Sequence, residues 1–382
     1  MSPSRLFSKR SGLASAHHFS FLLLFDCVAE VVAEITAEVK TGKTVVSLCK
    51  LGDEKMKKET GSVFNKKKNP KTGEKIEKGI AFPTCVSPNA CVAHNTPKSS
   101  ESSMTLSEGD LVKIDLGVHI DGYIASCAHT VVAVSDEEGG DSYKLEGRAA
   151  DVVECAEKGL EAALRLFRAG RKTSEVPATL ERVANDFDCS VVEGVMSHQM
   201  KKFVMDANKV VLNKQTPEMH TAESEFEEYE VYAIDVVMST GSGKTKVLDE
   251  KDTGVYKRAL DKNETLKLGS SRSVLSEIQR KFPALPFPAR ALEHMRGMNM
   301  GILDCVRHEM LVEYPVLYER ENAYVAHAKA TVLLTPSGVD RITTSNPSTV
   351  LRKPEHTLKD SETQSLLDEP LKHKKGKKNQ QS

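Results

Sequence analysis

The chain has 382 residues, with 53 basic against 54 acidic side chains and a formal net charge of −1. That length supports one large domain or two smaller ones, and the near-zero balance excludes a global field that would draw the chain to nucleic acid. Eight scattered cysteines without a CxxC pair exclude a disulfide scaffold and a zinc finger, and suit reduced thiols in the cytosol or nucleus.

Residues 1–25 read as an irregular N-terminus. Arg5, Lys9 and Arg10 precede a short apolar run resembling a targeting signal, but Asp26 ends the run and no clean small-x-small cleavage site follows. No run is long enough for a membrane-spanning helix. From Asp26, the spacing of Val28, Val31, Val32, Ile35 and Val39 predicts an amphipathic helix over 26–40. A charged helical stretch is expected at 51–69, closing in a lysine cluster, and strand signals follow at 79–96.

Residues 110–134 are the most informative stretch. Val112, Ile114, Leu116, Val118 and Ile120 alternate with Lys113, Asp115, Gly117 and His119, which predicts a half-buried strand. Asp121-Gly122 is a type I′ turn signal, so the segment reads as a hairpin. A two-residue loop pairs Ile120 with Tyr123, Gly117 with Ser126 and Asp115 with Ala128. Asp115 and position 126 then share one face as diagonal neighbours. Two carboxylates there would share a metal ion, yet position 126 is Ser.

An acidic, glycine-rich loop at 136–141 precedes a helix over 149–167, which Gly170 closes. A second helix is expected over 175–187, with Ser174 as its N-cap and Pro177 in its first turn. Residues 228–239 read as strand. Residues 249–323 are charged and helical and read as an inserted helical subdomain, broken by FPALPFP at 282–288. Strand returns at 324–335, and residues 346–382 read as a disordered basic tail. The element order predicts a single α+β domain over 26–345.

The polar residues on strands carry any chemistry: His94, Asp115, His119, His129, His198, Asp235 and Lys329. Asp235 lies in the apolar run VYAIDVV, where a lone carboxylate is costly unless it meets a metal, a cation or several N–H donors. A salt bridge to a lysine such as Lys329 satisfies it as well as a metal does. GSGKT at 241–245 lacks the first glycine of a phosphate loop, Met238 standing there, and reads as a solvated turn. The clusters Lys66, Lys67, Lys68, Lys71, Lys75 and Lys78, and Lys372, Lys374, Lys375, Lys377 and Lys378, are either solvated charge or contacts for a polyanion.

FPT with His94 downstream, KIDLG, the Ser197-His198 pair, VYAID and the 325–335 strand occur in the order seen in type-2 methionine aminopeptidases, and with them stand the longer segments KGIAFPT, GDLVKIDLGVHIDGYIA, CAHT, SHQMK, VYAID, VLYE and TVLL. They resemble most closely the proliferation-associated (ErbB-3-binding) protein family, the non-peptidase relatives of those enzymes, over about residues 41–345. The resemblance implies a pita-bread fold with an inserted helical subdomain. The enzymes hold two metal ions with two Asp, one His and two Glu. Position by position, Asp115 matches the first Asp and His198 the His, while Ser126, Asp235 and Lys329 stand where an Asp and two Glu belong. His94 matches a substrate-side His.

The resemblance therefore implies no catalytic residue, no metal and no cofactor. It implies an inactive aminopeptidase-like protein, monomeric and not membrane-bound, that engages RNA, the large ribosomal subunit and protein partners to regulate translation, ribosome biogenesis and growth, in cytoplasm, nucleus and nucleolus. The two lysine clusters are the expected RNA and ribosome contacts. One alternative is a metallopeptidase with an altered, single-metal site at Asp115, His198 and Asp235. Another is a peptide groove near His94 and His198 that binds without chemistry. The first Leu of the LxxLL motif in the tail of animal members is Thr363 here.

Overall fold

The computed structural model describes residues 14–69, 72–98, 104–135, 143–343 and 350–372, with side chains described at Leu24 and from Asp26 onward except at Lys251. The chain opens with α1 (Ala14–Glu38) and α2 (Val45–Ser62), then β1 (Lys78–Pro88) and β2 (Cys91–Ala93). The hairpin is β3 (Leu111–Ile120) and β4 (Tyr123–Val132), followed by β5 (Lys144–Glu146), α3 (Gly147–Leu166) and α4 (Glu175–Asp186). Next come β6 (Ser190–Val191), β7 (Met196–Met200), β8 (Val210–Leu212) and β9 (Val231–Ser239). The insertion holds β10 (Lys246–Val247), β11 (Val255–Arg258), α5 (Gly269–Lys281), β12 (Phe287–Pro288), α6 (Met298–Arg307), β13 (Leu311–Tyr314) and β14 (Leu317–Tyr318). The chain returns through β15 (Val325–Thr335) and β16 (Gly338–Arg341) and ends with β17 (Leu351–Lys353) and α7 (Ser361–Asp368).

Nine strands form the central sheet along the path β1-β3-β4-β15-β9-β7-β8, with β16 on β15 and β6 on β9. The hairpin register is the expected one, Ile120 facing Tyr123, Gly117 facing Ser126 and Asp115 facing Ala128. Asp121 (φ 54°) and Gly122 (φ 77°) both take the left-handed conformation that a type I′ turn demands. Period-two geometry sorts the strands into two faces. Ile114 and Leu116 of β3 pack with α1 and α2, and Ile234 and Val236 of β9 and Ala328 and Ala330 of β15 pack with α3 and α4. The odd-numbered Asp115, Asp235 and Lys329 thus point to the opposite face. Two αβ halves around one sheet are the pita-bread arrangement.

Several expectations change. The first helix starts at Ala14 and not at Asp26, because the apolar run before Asp26 extends it. Both faces of β3 are buried where one was expected, because Phe82, Val255 and Tyr314 cluster over the second face. Ser174 does not cap α4: its Oγ donates to Glu223 Oε2 (2.7 Å), and Glu175 Oε1 accepts from the Lys172 N–H (2.9 Å) instead. The insertion is mixed and not purely helical, with the three-stranded sheet β12-β11-β13 beside α5 and α6. Strands of two to four residues are too short to show a period in sequence. The acidic loop at 136–141 lies outside the described residues.

The expected disordered tail is folded over 350–372. β17 pairs in parallel with β5, and Asp360 caps α7 by accepting the Thr363 N–H (2.8 Å). Buried Asp151 of α3 accepts the N–H groups of Glu355 (2.8 Å) and His356 (2.9 Å), and Asp186 of α4 accepts those of Lys359 and Asp360 (both 2.7 Å). Polar composition reads as disorder, but here buried Asp151 and half-buried Asp186 satisfy the backbone that the polar segment presents. Thr363 and Leu366 are buried by this docking, and Leu367 packs partly buried against the core, so the segment at the LxxLL position lies against the protein.

Candidate functional site

Five strands bring the site together in one row. Cys85 pairs with Asp115, Asp115 with Ala128, Ala128 with Lys329 and Lys329 with Asp235. Residues directly opposite on neighbouring strands point the same way. The small Ala128 leaves the Lys329 side chain room to reach over β4. Its ammonium donates to Asp115 Oδ1 (3.2 Å) and Oδ2 (3.0 Å) and lies 2.8 Å from Asp235 Oδ2. It also sits 5.7 Å from the centre of the Phe82 ring.

Asp235 has further partners. His327 Nε2 donates to its Oδ1 (2.6 Å), and its backbone N–H donates to Ser197 Oγ (3.0 Å). Its carbonyl accepts from Asn213. Burial alone pushes the Asp235 carboxyl up, but the charge of Lys329, then His327 and the hydrogen bonds of both, reverse this and hold it well below the usual carboxylate range. Burial likewise works against the Lys329 ammonium, and the two carboxylates overcome it, so Lys329 stays protonated well above the ordinary lysine value. The three groups form one charge-paired buried unit with a formal sum of −1.

Ser126 lies beside this unit on a seam held by side chains. Lys329–Ala128 is the one paired position between β4 and β15. Around it, threonine hydroxyls replace ladder bonds. Thr331 Oγ1 accepts the Ser126 N–H (2.8 Å) and donates to the Ser126 carbonyl (2.9 Å), which also accepts from Thr343 Oγ1 (3.0 Å). On the other side, Thr130 Oγ1 accepts from the His327 N–H (2.8 Å) and donates to the His327 carbonyl (3.1 Å).

His198 on β7 faces Ala233 of β9, and its buried Nδ1 has no hydrogen-bond partner. Burial depresses its pKa and that of His94. The left-handed His94 (φ 64°) bonds the Pro315 carbonyl through Nδ1 (3.0 Å) and packs with Phe82 and Tyr314 at ring distances of 6.1 and 5.5 Å. Sequence reasoning missed His327, although it stands two residues before Lys329 on the same strand face. It also missed the threonine seam, which no period reveals.

The donor set does not fit a two-metal centre. Two divalent ions about 3.5 Å apart need several bridging carboxylates. Here two aspartates already close on an ammonium, and the other positions offer a hydroxyl and a histidine.

The lysine clusters separate. Lys66, Lys67, Lys68 and Lys75 are exposed. Lys78 is not a free cation, because its ammonium caps the C-terminus of α2, donating to the Gly61 carbonyl (3.3 Å), the Val63 carbonyl and Asn65 Oδ1 (2.6 Å). Lys372 pairs with Asp340. Lys71, Lys374, Lys375, Lys377 and Lys378 lie outside the described residues.

Residues 25–256 match the model of metallopeptidase family M24. The chain is 46% identical to ErbB-3 binding protein 1 of Solanum tuberosum over 92% of its own length and 88% of the relative's. It is 37% identical to the curved DNA-binding protein of Schizosaccharomyces pombe, over 91% and 88%. Among solved structures, a thermophilic Arx1 superposes with a TM-score of 0.83 at 26% identity, over 95% of this chain and 100% of that one.

Proposed function

Since the chain belongs to metallopeptidase family M24, in its branch of ErbB-3-binding proteins, we propose that it acts by binding and not by hydrolysis. In this reading it is a catalytically inactive aminopeptidase-like protein. It engages RNA, ribosomes and protein partners to regulate translation, ribosome biogenesis and growth, in cytoplasm and nucleus. The observation that carries the reading is the Lys329 ammonium between Asp115 and Asp235. An ammonium there repels a divalent ion and consumes the two carboxylates that would hold one. Nothing in the row then activates a water or polarises a scissile carbonyl.

The binding half rests on the exposed lysines of the 66–75 segment and on a relative whose name records DNA binding. Lysines that neutralise phosphates release counterions, so such binding weakens steeply with salt. One experiment tests both halves. The purified chain is given a Met-initiated peptide with Mn²⁺, Co²⁺ or Zn²⁺, and in parallel is sedimented with ribosomes across a salt series. We expect no released methionine, and cosedimentation that is lost as salt rises. Metal-dependent release of methionine overturns the first half, and absence from the ribosomal pellet at low salt overturns the second.

A further inference from the structure

Two separate loops converge on the hairpin tip at Asp121–Gly122. The segment after α2 reaches it through Asn69 Nδ2, which donates to Asp121 Oδ1 (3.1 Å), and through the Glu77 carbonyl, which accepts the Asp121 N–H (2.6 Å). The turn after β7 reaches it from the other half of the fold. There Lys202 Nζ donates to Asp121 Oδ2 (2.7 Å), and the Phe203 N–H donates to the Gly122 carbonyl (2.8 Å). The Phe203 ring lies over Gly122 so closely that a Cβ there would sit 2.4 Å from it, which explains the glycine as much as the turn does.

Each flanking loop carries a phenylalanine in the left-handed region, Phe64 (φ 53°) and Phe203 (φ 59°). That conformation is unfavourable for a bulky aromatic residue and recurs at functional sites. Both rings are only partly buried. Each has a lysine ammonium over it, Lys67 at 4.7 Å from the Phe64 centre and Lys202 at 5.7 Å from that of Phe203. Lys66, Lys68, Lys75 and Lys201 are exposed around them, and Lys68 bridges Lys75 across its loop. Glu74, Glu77, Asp121 and Asp206 are the acids on these loops and the tip; Asp121 is already held by Lys202 and Asn69, and Asp206 by Lys257. Glu227 and Glu230, which hold Lys209, mark the acidic limit of the strip towards β9.

We propose that this end of the sheet binds single-stranded RNA, with unpaired bases stacking on Phe64 and Phe203 and phosphates on Lys66, Lys67, Lys68, Lys75 and Lys201. A base arriving on the Phe64 ring displaces the Lys67 ammonium, which takes the adjacent phosphate, while Lys202 stays paired with Asp121 beside the Phe203 ring. Aromatic platforms interleaved with lysines are the chemistry of single-strand recognition, because only unpaired bases offer their faces. A duplex keeps its faces stacked and meets the lysines alone. The proposal rests on the RNA half of the function above and deepens it.

The test is fluorescence anisotropy on the full chain, with an unstructured RNA of about 12 nucleotides and a duplex RNA of the same length, a span within the range such sites cover. We expect Phe64→Leu and Phe203→Leu each to weaken single-strand binding about fivefold or more while duplex binding is unchanged. Phe203→Tyr, which keeps the ring, restores the affinity. Lys66→Gln with Lys67→Gln and Lys68→Gln lowers the salt dependence for both RNAs. Circular dichroism melting confirms folding, and if Phe203→Leu fails to fold, Phe64→Leu and Lys201→Gln carry the comparison. Equal losses on both RNAs, or none on the single strand, overturn the stacking platform and leave the RNA reading standing. Failure of the unsubstituted chain to bind either RNA at low salt overturns both.

Discussion

Buried aspartates on opposite sides of the sheet are paired in different ways. Asp115 and Asp235 share Lys329, whose backbone is fixed in the sheet between β4 and β9. Asp151, in the helix layer, is met by Arg148 Nη1 (2.9 Å), His356 Nδ1 (2.8 Å) and two backbone N–H groups, three of these four partners coming from the C-terminal segment. Among the described residues, Asp151, Glu355 and His356 are the group whose spacing suits a metal ion, whereas the strand row has lost that property. Yet Arg148 already supplies a cation to Asp151, so this group reads as a fastening for the tail. A buried carboxylate therefore indicates no chemistry until its partners are known. In one case the partner cannot leave the sheet, and in the other it belongs to a segment that docks.

The largest expected effect breaks the strand row. Lys329→Met leaves Asp115 and Asp235 buried, close together and without their cation. Removing one partner of a buried ionic group costs about 3–5 kcal/mol. Urea unfolding followed by circular dichroism measures it. A loss below about 1 kcal/mol, in the range of surface pairs, contradicts the row as a buried unit.

A smaller effect breaks the fastening. Asp151→Asn removes the charge from hydrogen bonds worth about 1.5–3 kcal/mol each, although the amide oxygen still accepts a bond. We expect a modest loss of global stability and, more specifically, earlier proteolytic cleavage within residues 350–372, read by mass spectrometry of limited digests. Lys329→Met should not share this cleavage pattern, since its damage is global. If both variants cleave alike, the two clusters are not independent.

The strand row was legible in the sequence to a useful depth, and the fastening was not. The two-residue Asp121-Gly122 turn fixes the hairpin register, so Asp115 could be placed against Ala128 and beside Ser126 from spacing alone. The match to aminopeptidase motifs then pointed to Asp235 and Lys329, and the sheet makes them neighbours. His327 was missed because an isolated histidine in an apolar strand carries no signal until its face is compared with that of Lys329. The tail was misread because its order comes from aspartates nearly two hundred residues upstream in α3 and α4, contacts that local composition does not encode. Lys78 shows the same limit within a charge run, since its role as a helix cap depends on where α2 ends.

The smallest expected effect concerns pH, and it distinguishes a lysine-locked row from a titrating site. Asp235 has a folded pKa below its ordinary value of 3.8, so its contribution to stability is complete above that value and is lost as pH falls through the folded one. Lys329 has a folded pKa above its ordinary 10.5, so its contribution is complete below 10.5 and is lost as pH rises through the folded one. Both contributions are therefore present together over the whole interval between. The stability difference between the unsubstituted chain and Lys329→Met should not fall from about pH 5 to about pH 9, since neither group changes its proton occupancy in the unsubstituted chain there, while the uncompensated carboxylates of the variant take up protons towards the acid end. A difference that falls as pH rises through the neutral range would mean that Lys329 deprotonates in the folded protein. The two carboxylates would then stand without their cation, and the row would again be open to a metal ion.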